Sequence, residues 1–140
     1  MIKYDNKIDL KSFRRLLKQA EGFEITALAN DKQLQTAIDN SMYISTAIEN
    51  NEVIGLARVV GDNSLKGMLC DVIVLKDYQN QGIGRKIIEN IKLMIENDLE
   101  EKEQFLLELC PVKETIKFYE SCGFKYDSDD MIGMSYRFMK

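Results

Sequence analysis

The chain has 140 residues, 45% of them apolar and 30% charged, enough for one domain with its own core and no need of disulfides or a structural metal. Lys and Arg number 19 against 23 Asp and Glu, and the net charge of −4 argues against nucleic acid as a general partner, which requires a basic stripe. There is no histidine and there are only three cysteines, Cys70, Cys110 and Cys122, which excludes histidine triads, histidine metal sites and a disulfide framework.

Met1 to Asn6 lacks a basic-then-apolar leader. No apolar run approaches the ~20 residues of a membrane span, so a cytoplasmic location and no membrane partner are expected. No repeat, low-complexity tract or Pro-rich linker divides the chain, and residues 1–140 read as a single domain. Leu10, Phe13, Leu16 and Leu17 place one apolar stripe on a helix over Asp9–Ala20. Asn30 or Asp31 is suited to cap a second helix running to about Asn40. Met42–Ile48 and Glu52–Val60 read as a hairpin turning at Glu49, Asn50 and Asn51.

Gly67–Leu75 is apolar on both alternations apart from Asp71, the pattern of a central strand covered on both faces. After a glycine-bearing loop, Ile87, Ile88, Ile91, Met94 and Ile95 recur on one face of a strong helix. An acidic connection then leads to a short strand at Phe105–Leu109. Pro111 suits the first turn of a helix reaching Cys122, with Gly123 as its left-handed stop. A strand over Phe124–Tyr126, a polar loop over Asp127–Gly133 and a last strand over Met134–Met139 complete the chain. The order α-α-β-β-β-α-β-α-β-β, with a β-α-β unit from Gly67 to Leu109, predicts an α/β fold with a mixed sheet and one right-handed parallel crossover.

Gln79-Asn80-Gln81-Gly82-Ile83-Gly84-Arg85-Lys86 joins the best strand to the best helix. Two glycines let backbone approach a ligand, and the first turn of a helix offers unbonded N–H groups and about half a positive charge. A phosphate or pyrophosphate is the natural occupant. Neither G-x-x-x-x-G-K-[ST] nor G-x-G-x-x-G is present, since Ile87 stands where a third glycine would be. By itself the loop is equally a bare strand-to-helix turn, or part of a nucleotide or redox-cofactor module.

The full string from Val72 to Gly84 resembles motif A of the GNAT acetyltransferase superfamily, a hydrophobic strand followed by Q/R-x-x-G-x-G/A, with Gln79, Gly82 and Gly84 at the fixed places. Phe118-Tyr119-Glu120-Ser121-Cys122-Gly123-Phe124 is similar to the family's F-Y-x-x-x-G-F segment. The resemblance covers about Met42 to Phe138 and implies an acyl-CoA N-acyltransferase fold whose central parallel strands splay apart. It implies acetyl-CoA as acetyl donor, with pantetheine against the backbone of Ile73, Val74 and Leu75. The pyrophosphate would lie on amides from Asn80 to Arg85, within the binding segment Gln79, Asn80, Gln81, Gly82, Ile83, Gly84, Arg85 and Lys86. Many members carry Asn and Ala in the helix before F-Y; Val112 and Thr115 stand at those places here.

Acetyl transfer to an amine needs the neutral amine, which at a pKa near ~10.4 is about one molecule in 2,500 at pH 7. It also needs an N–H donor for the thioester oxygen and a proton for the departing thiolate. Tyr119 matches the family's proton-donating tyrosine; its other reading is an aromatic packed on the sheet. Asp71, a lone carboxylate in a core strand, is the expected base, or else an Asp at a bulge. Glu108 is the second acid, and either acid could instead hold the substrate ammonium. The three cysteines read as small core residues. The expected acceptor is a small amine or a peptide, no metal is involved, and a homodimer is compatible with the family. The alternative is a non-catalytic acetyl-CoA sensor of the same fold, or a transferase for another acyl-CoA.

Overall fold

A computed structural model describes residues 1–126, 128 and 132–140. Among these residues six strands form one sheet in the order β1 to β6: Lys3–Asp5, Tyr43–Glu49, Glu52–Gly61, Lys66–Val74, Gln104–Leu109 and Met134–Met139. All neighbours are antiparallel except β4 and β5, the parallel pair that the β-α-β pattern requires. Four helices flank the sheet: α1 (Leu10–Gln19), α2 (Asp31–Asp39), α3 (Ile83–Asp98) and α4 (Ile116–Ser121).

Local chemistry sets these boundaries. The Asp9 carboxylate accepts from the Ser12 N–H to start α1, and Asn30 does the same for Gln33 at the start of α2. Caps of this kind contribute about 1 kcal/mol each. Asn50 and Asn51 both take left-handed backbone, the twist that a two-residue hairpin turn needs between β2 and β3. The α3 stripe, Ile83, Ile87, Ile88, Ile91 and Ile95, is buried against Ala47, Ala57, Val59, Leu69, Phe105 and Leu107 on one face of the sheet. Cutting Ile91, fully buried, back to Ala would cost about 2–5 kcal/mol. On the opposite face α1 and α2 seal Phe13, Leu16, Leu17 and Leu34 over Ile44, Val53, Leu56 and Ile73.

Three expectations change. Lys3–Asp5, too short to show a period, adds an edge strand to β2. The helix predicted from Pro111 shrinks to a 3-10 turn at Lys113–Thr115 followed by α4. Pro111 therefore precedes the helix rather than opening it, although Gly123 does stop it with φ +95°. The strand expected over Phe124–Tyr126 is a single bridge from Lys125 to Ser135. Most of the polar loop predicted after it, at positions 127 and 129–131, lies outside the described residues.

Candidate active site

The feature that organises the site is where β4 and β5 stop pairing. Their register runs Lys66 with Leu106, Gly67 with Leu107 and Met68 with Glu108. Beyond Met68, β4 continues to Val74 bonded only to β3, while β5 continues to Leu109 bonded only to β6. The two strands therefore open a gap above that row. A bulge in β4 helps to make it. Leu56 faces Ile73 and Arg58 faces Cys70, so three steps on β4 match two on β3. The extra residue lies at Asp71, whose φ of +51° is left-handed.

Asp71 is thus both the lone carboxylate of the strand and the bulge residue. Its Oδ2 accepts from the Nε of Arg58 in an ion pair whose side chains are 14% and 16% exposed. Arg58 also donates to the Ser41 hydroxyl at 3.3 Å and lies 5.9 Å from the Phe13 ring centroid, on the α1 side of the sheet. Arg58 was not among the expected site residues. The signal was present: it is the lone charge within Val53–Val60, as Asp71 is within Met68–Leu75, and opposite lone charges on adjacent apolar strands predict a pair.

The expected cofactor strand is refined by its hydrogen bonds. Leu75 donates its N–H to the Ile54 carbonyl, and Ile73 and Val74 stand opposite Leu56 and Gly55. By alternation Ile73 and Leu75 bond to β3, whereas Val74 turns its own N–H and C=O to the gap. Gln79 reaches back from the loop and donates to the Val74 carbonyl at 2.9 Å. A cleft of about 480 Å³ lies beside this edge, between Val72–Lys76 and the end of α1 with Phe23. A separate cavity of about 260 Å³ lies at the far end of the sheet against Tyr43, Asp98 and Phe105, remote from the gap.

The loop ends as a mouth of unbonded donors. The first intrahelical bond of α3 runs from Lys86 N–H to the Gly82 carbonyl, and Gly82 at the N-cap supplies no capping side chain. The N–H groups of Ile83, Gly84 and Arg85 accordingly lack helical partners. Gly82 has φ +81°, and a Cβ built there would find nothing within 4 Å, so the space above it is open. Gly84 has the other glycine role: a Cβ would come within 3.4 Å of Phe118 and 3.5 Å of Val74. These features fit a pyrophosphate, with the helix dipole aligned to it. Lys86 is exposed at the mouth. The Arg85 guanidinium is used elsewhere, donating to the carbonyl and hydroxyl of Ser121 at 3.0 and 2.6 Å. It ties the mouth of α3 to the end of α4. Gln81 braces the loop internally on the Asp77 carbonyl, and Asn80 holds it in left-handed backbone with φ +62°.

Tyr119, on α4, is buried between the rings of Phe118 and Phe124, with centroids 5.1 and 6.0 Å away. Burial pushes its phenol up to about 12, so it carries its proton throughout the neutral range. Glu108 stands on the last bonded row of the parallel pair, 3.9 Å from the Lys66 ammonium. Burial raises the Cys70 thiol to about 11 and raises that of Cys122 as well, which leaves neither as a thiolate nucleophile. Cys110 is exposed just beyond β5. Among the described residues no group of acidic, cysteine or histidine side chains could hold a metal ion, and no helix is long and apolar enough to cross a membrane.

Residues 39–126, which contain the gap, the loop and α4, match the model of the acetyltransferase (GNAT) domain. The chain belongs to the GNAT acetyltransferase family. Histone acetyltransferase TAP1 of Glycine max is 30% identical over 83 residues, covering 59% of this chain and 34% of that protein. The chain thus spans about a third of that relative's length. A probable acetyltransferase of unknown function from meticillin-resistant Staphylococcus aureus superposes with a TM-score of 0.76 at 26% identity, over 94% of this chain and 95% of that one. A Brucella melitensis GNAT acetyltransferase solved in complex with acetyl-CoA gives a TM-score of 0.72 over 100% and 90% of the two chains. At 19% identity that likeness is one of fold. The six-stranded mixed sheet with its parallel β4–β5 pair is the GNAT architecture expected from the two motifs.

Proposed function

We propose that this GNAT domain moves acetyl from acetyl-CoA directly to a primary amine of a small molecule or peptide. The observation that carries the reading is that β4 parts from β5 along the edge ending at Val74, and that Gly84, among the unbonded N–H groups opening α3, lies against Val74. One mouth takes the pyrophosphate, and the unpaired edge at Val74 takes the amide-bearing arm.

In the proposed reaction the amine nitrogen forms a bond to the acetyl carbon and the C–S bond breaks. Tyr119 gives its proton to the departing sulfur, a role that its burial supports by keeping it protonated. Asp71 takes the base-side role expected from the sequence, with Arg58 holding Oδ2 so that the carboxylate keeps one orientation. A backbone N–H near Ile73 serves the thioester oxygen, as the family resemblance implies.

Calorimetric titration with acetyl-CoA, against ATP and NADH, tests the first half. Selective micromolar binding of acetyl-CoA is expected, and binding of ATP or NADH alone would remove the assignment. Amine-dependent release of free thiol tests the second half. Acetyl-CoA binding without release, across small amines and lysine-bearing peptides, would leave a sensor in place of a transferase.

A further inference from the structure

The sheet face turned away from α3 is only partly covered. The cluster beneath α1 and α2 takes residues from β2, β3 and the upper part of β4, and among the described residues none from β5 or β6. On β5, Phe105, Leu107 and Leu109 are buried toward α3, so Leu106 and Glu108 point to the side turned away from it. Cross-strand partners share a face, which gives two rows there: Lys66–Leu106–Arg137 and, next to the gap, Met68–Glu108–Ser135. Arg58 and Asp71 belong to the same side, since Arg58 lies against Phe13 of α1.

Two carboxylates therefore flank the vertex of the gap on the face turned away from α3, where Ser135 at the far end of the row is buried, and they are held very differently. Asp71 is locked by a largely buried guanidinium. Glu108 is 40% exposed, and its ion pair among the described residues is with the end of a 62% exposed lysine, at 3.9 Å. An exposed contact of that length contributes little and is readily exchanged. Met68, the neighbour of Glu108 in its row, is an apolar side chain left 43% exposed.

We propose that Glu108 anchors the ammonium group of the acceptor, displacing Lys66, and that the acceptor is a primary alkylammonium whose carbon chain lies on Met68. This rests on the transferase reading above and assigns its substrate class. The exchange swaps one cation for another at the same carboxylate, so Glu108 stays paired when the acceptor enters or leaves and the displaced Lys66, 62% exposed, is solvated by water. It also sets the nitrogen at the vertex, with Asp71 on the same face and the gap leading through the sheet.

Steady-state kinetics with hexylamine as probe, at saturating acetyl-CoA, tests the assignment. Both side chains are exposed, so neither substitution threatens folding. Glu108→Gln should raise the KM for hexylamine at least tenfold, with kcat within about twofold and calorimetric acetyl-CoA affinity unchanged. Lys66→Met should move the other way and lower that KM several-fold, because the anchor loses its competitor. Effects of opposite sign from the two partners of one ion pair are not produced by a merely structural role. An unchanged KM in Glu108→Gln, a fall in kcat alone, no gain in Lys66→Met, or no acetylation of hexylamine by the wild type while acetyl-CoA binds would each overturn the anchor. Absence of acetyl-CoA binding would overturn the transferase reading and the anchor with it.

Discussion

Between Lys66 and Met68, β4 is bonded to β3 on one edge and to β5 on the other; between Val72 and Val74 it keeps β3 alone. The lower half is ordinary sheet, with a strand partner on each edge. The upper half leaves one edge unpaired inside a fold, which is costly unless something replaces the missing strand. Three devices hold it open: the left-handed bulge at Asp71, the Arg58 ion pair beneath it, and the Gln79 amide on the Val74 carbonyl. The lower half supplies stability and the upper half supplies the unpaired edge at which the proposed acetyl-CoA would lay its amide-bearing arm. The comparison teaches that the site is a strand pairing withheld, not a pocket carved into finished sheet.

The sharpest way to break that contrast is at the mouth above it. Gly82→Val puts a β-branched side chain at φ +81° and fills the open space over the helix terminus, so acetyl-CoA affinity should fall at least 100-fold by calorimetry. Retained affinity would remove the loop from the site. Next in size, Tyr119→Phe should slow turnover by roughly 10²-fold while cofactor affinity holds. An unchanged rate would leave Tyr119 as packing between Phe118 and Phe124.

Asp71 sits on both sides of the comparison. Asp71→Asn should slow turnover about tenfold with acetyl-CoA affinity unchanged, while Arg58→Met should chiefly lower the melting temperature. If both variants melt early and the Asp71→Asn rate is unchanged, Asp71 serves the bulge alone. Gln79→Ala removes the brace from the open edge, and the KM for acetyl-CoA should rise a few-fold with kcat intact. The smallest effect is on stability at high pH. Burial raises the Tyr119 phenol from its ordinary 10.0 to about 12, so the unfolded chain releases this proton first. That contribution is complete below pH 10.0 and is lost as pH rises toward about 12. Denaturant titrations across that window should show a decline that Tyr119→Phe flattens.

Much of this was readable in advance, and the reasons differ by region. The α3 helix, the hairpin and the parallel unit were legible because period and turn chemistry act locally: five isoleucines and methionines on one stripe, two asparagines at a turn, strands on either side of a helix. Gln79, Gly82 and Gly84 were legible because their spacing is itself the motif. Lys3–Asp5 was not, since three residues carry no period and their order comes from β2. The role of Arg85 was also hidden. Its charge pointed to phosphate, yet Ser121, thirty-six positions away, took its guanidinium.

The amino-acid sequence alone determined the order of elements from α1 to β5, the family and the loop that opens α3, because each rests on residue types at fixed short spacings. Only the tertiary structure decided where β4 and β5 part, that Arg58 holds Asp71, and that Glu108 stands at the vertex on the face turned away from α3. Those are relations between residues distant along the chain, and backbone pairing and burial select them only once the sheet has closed.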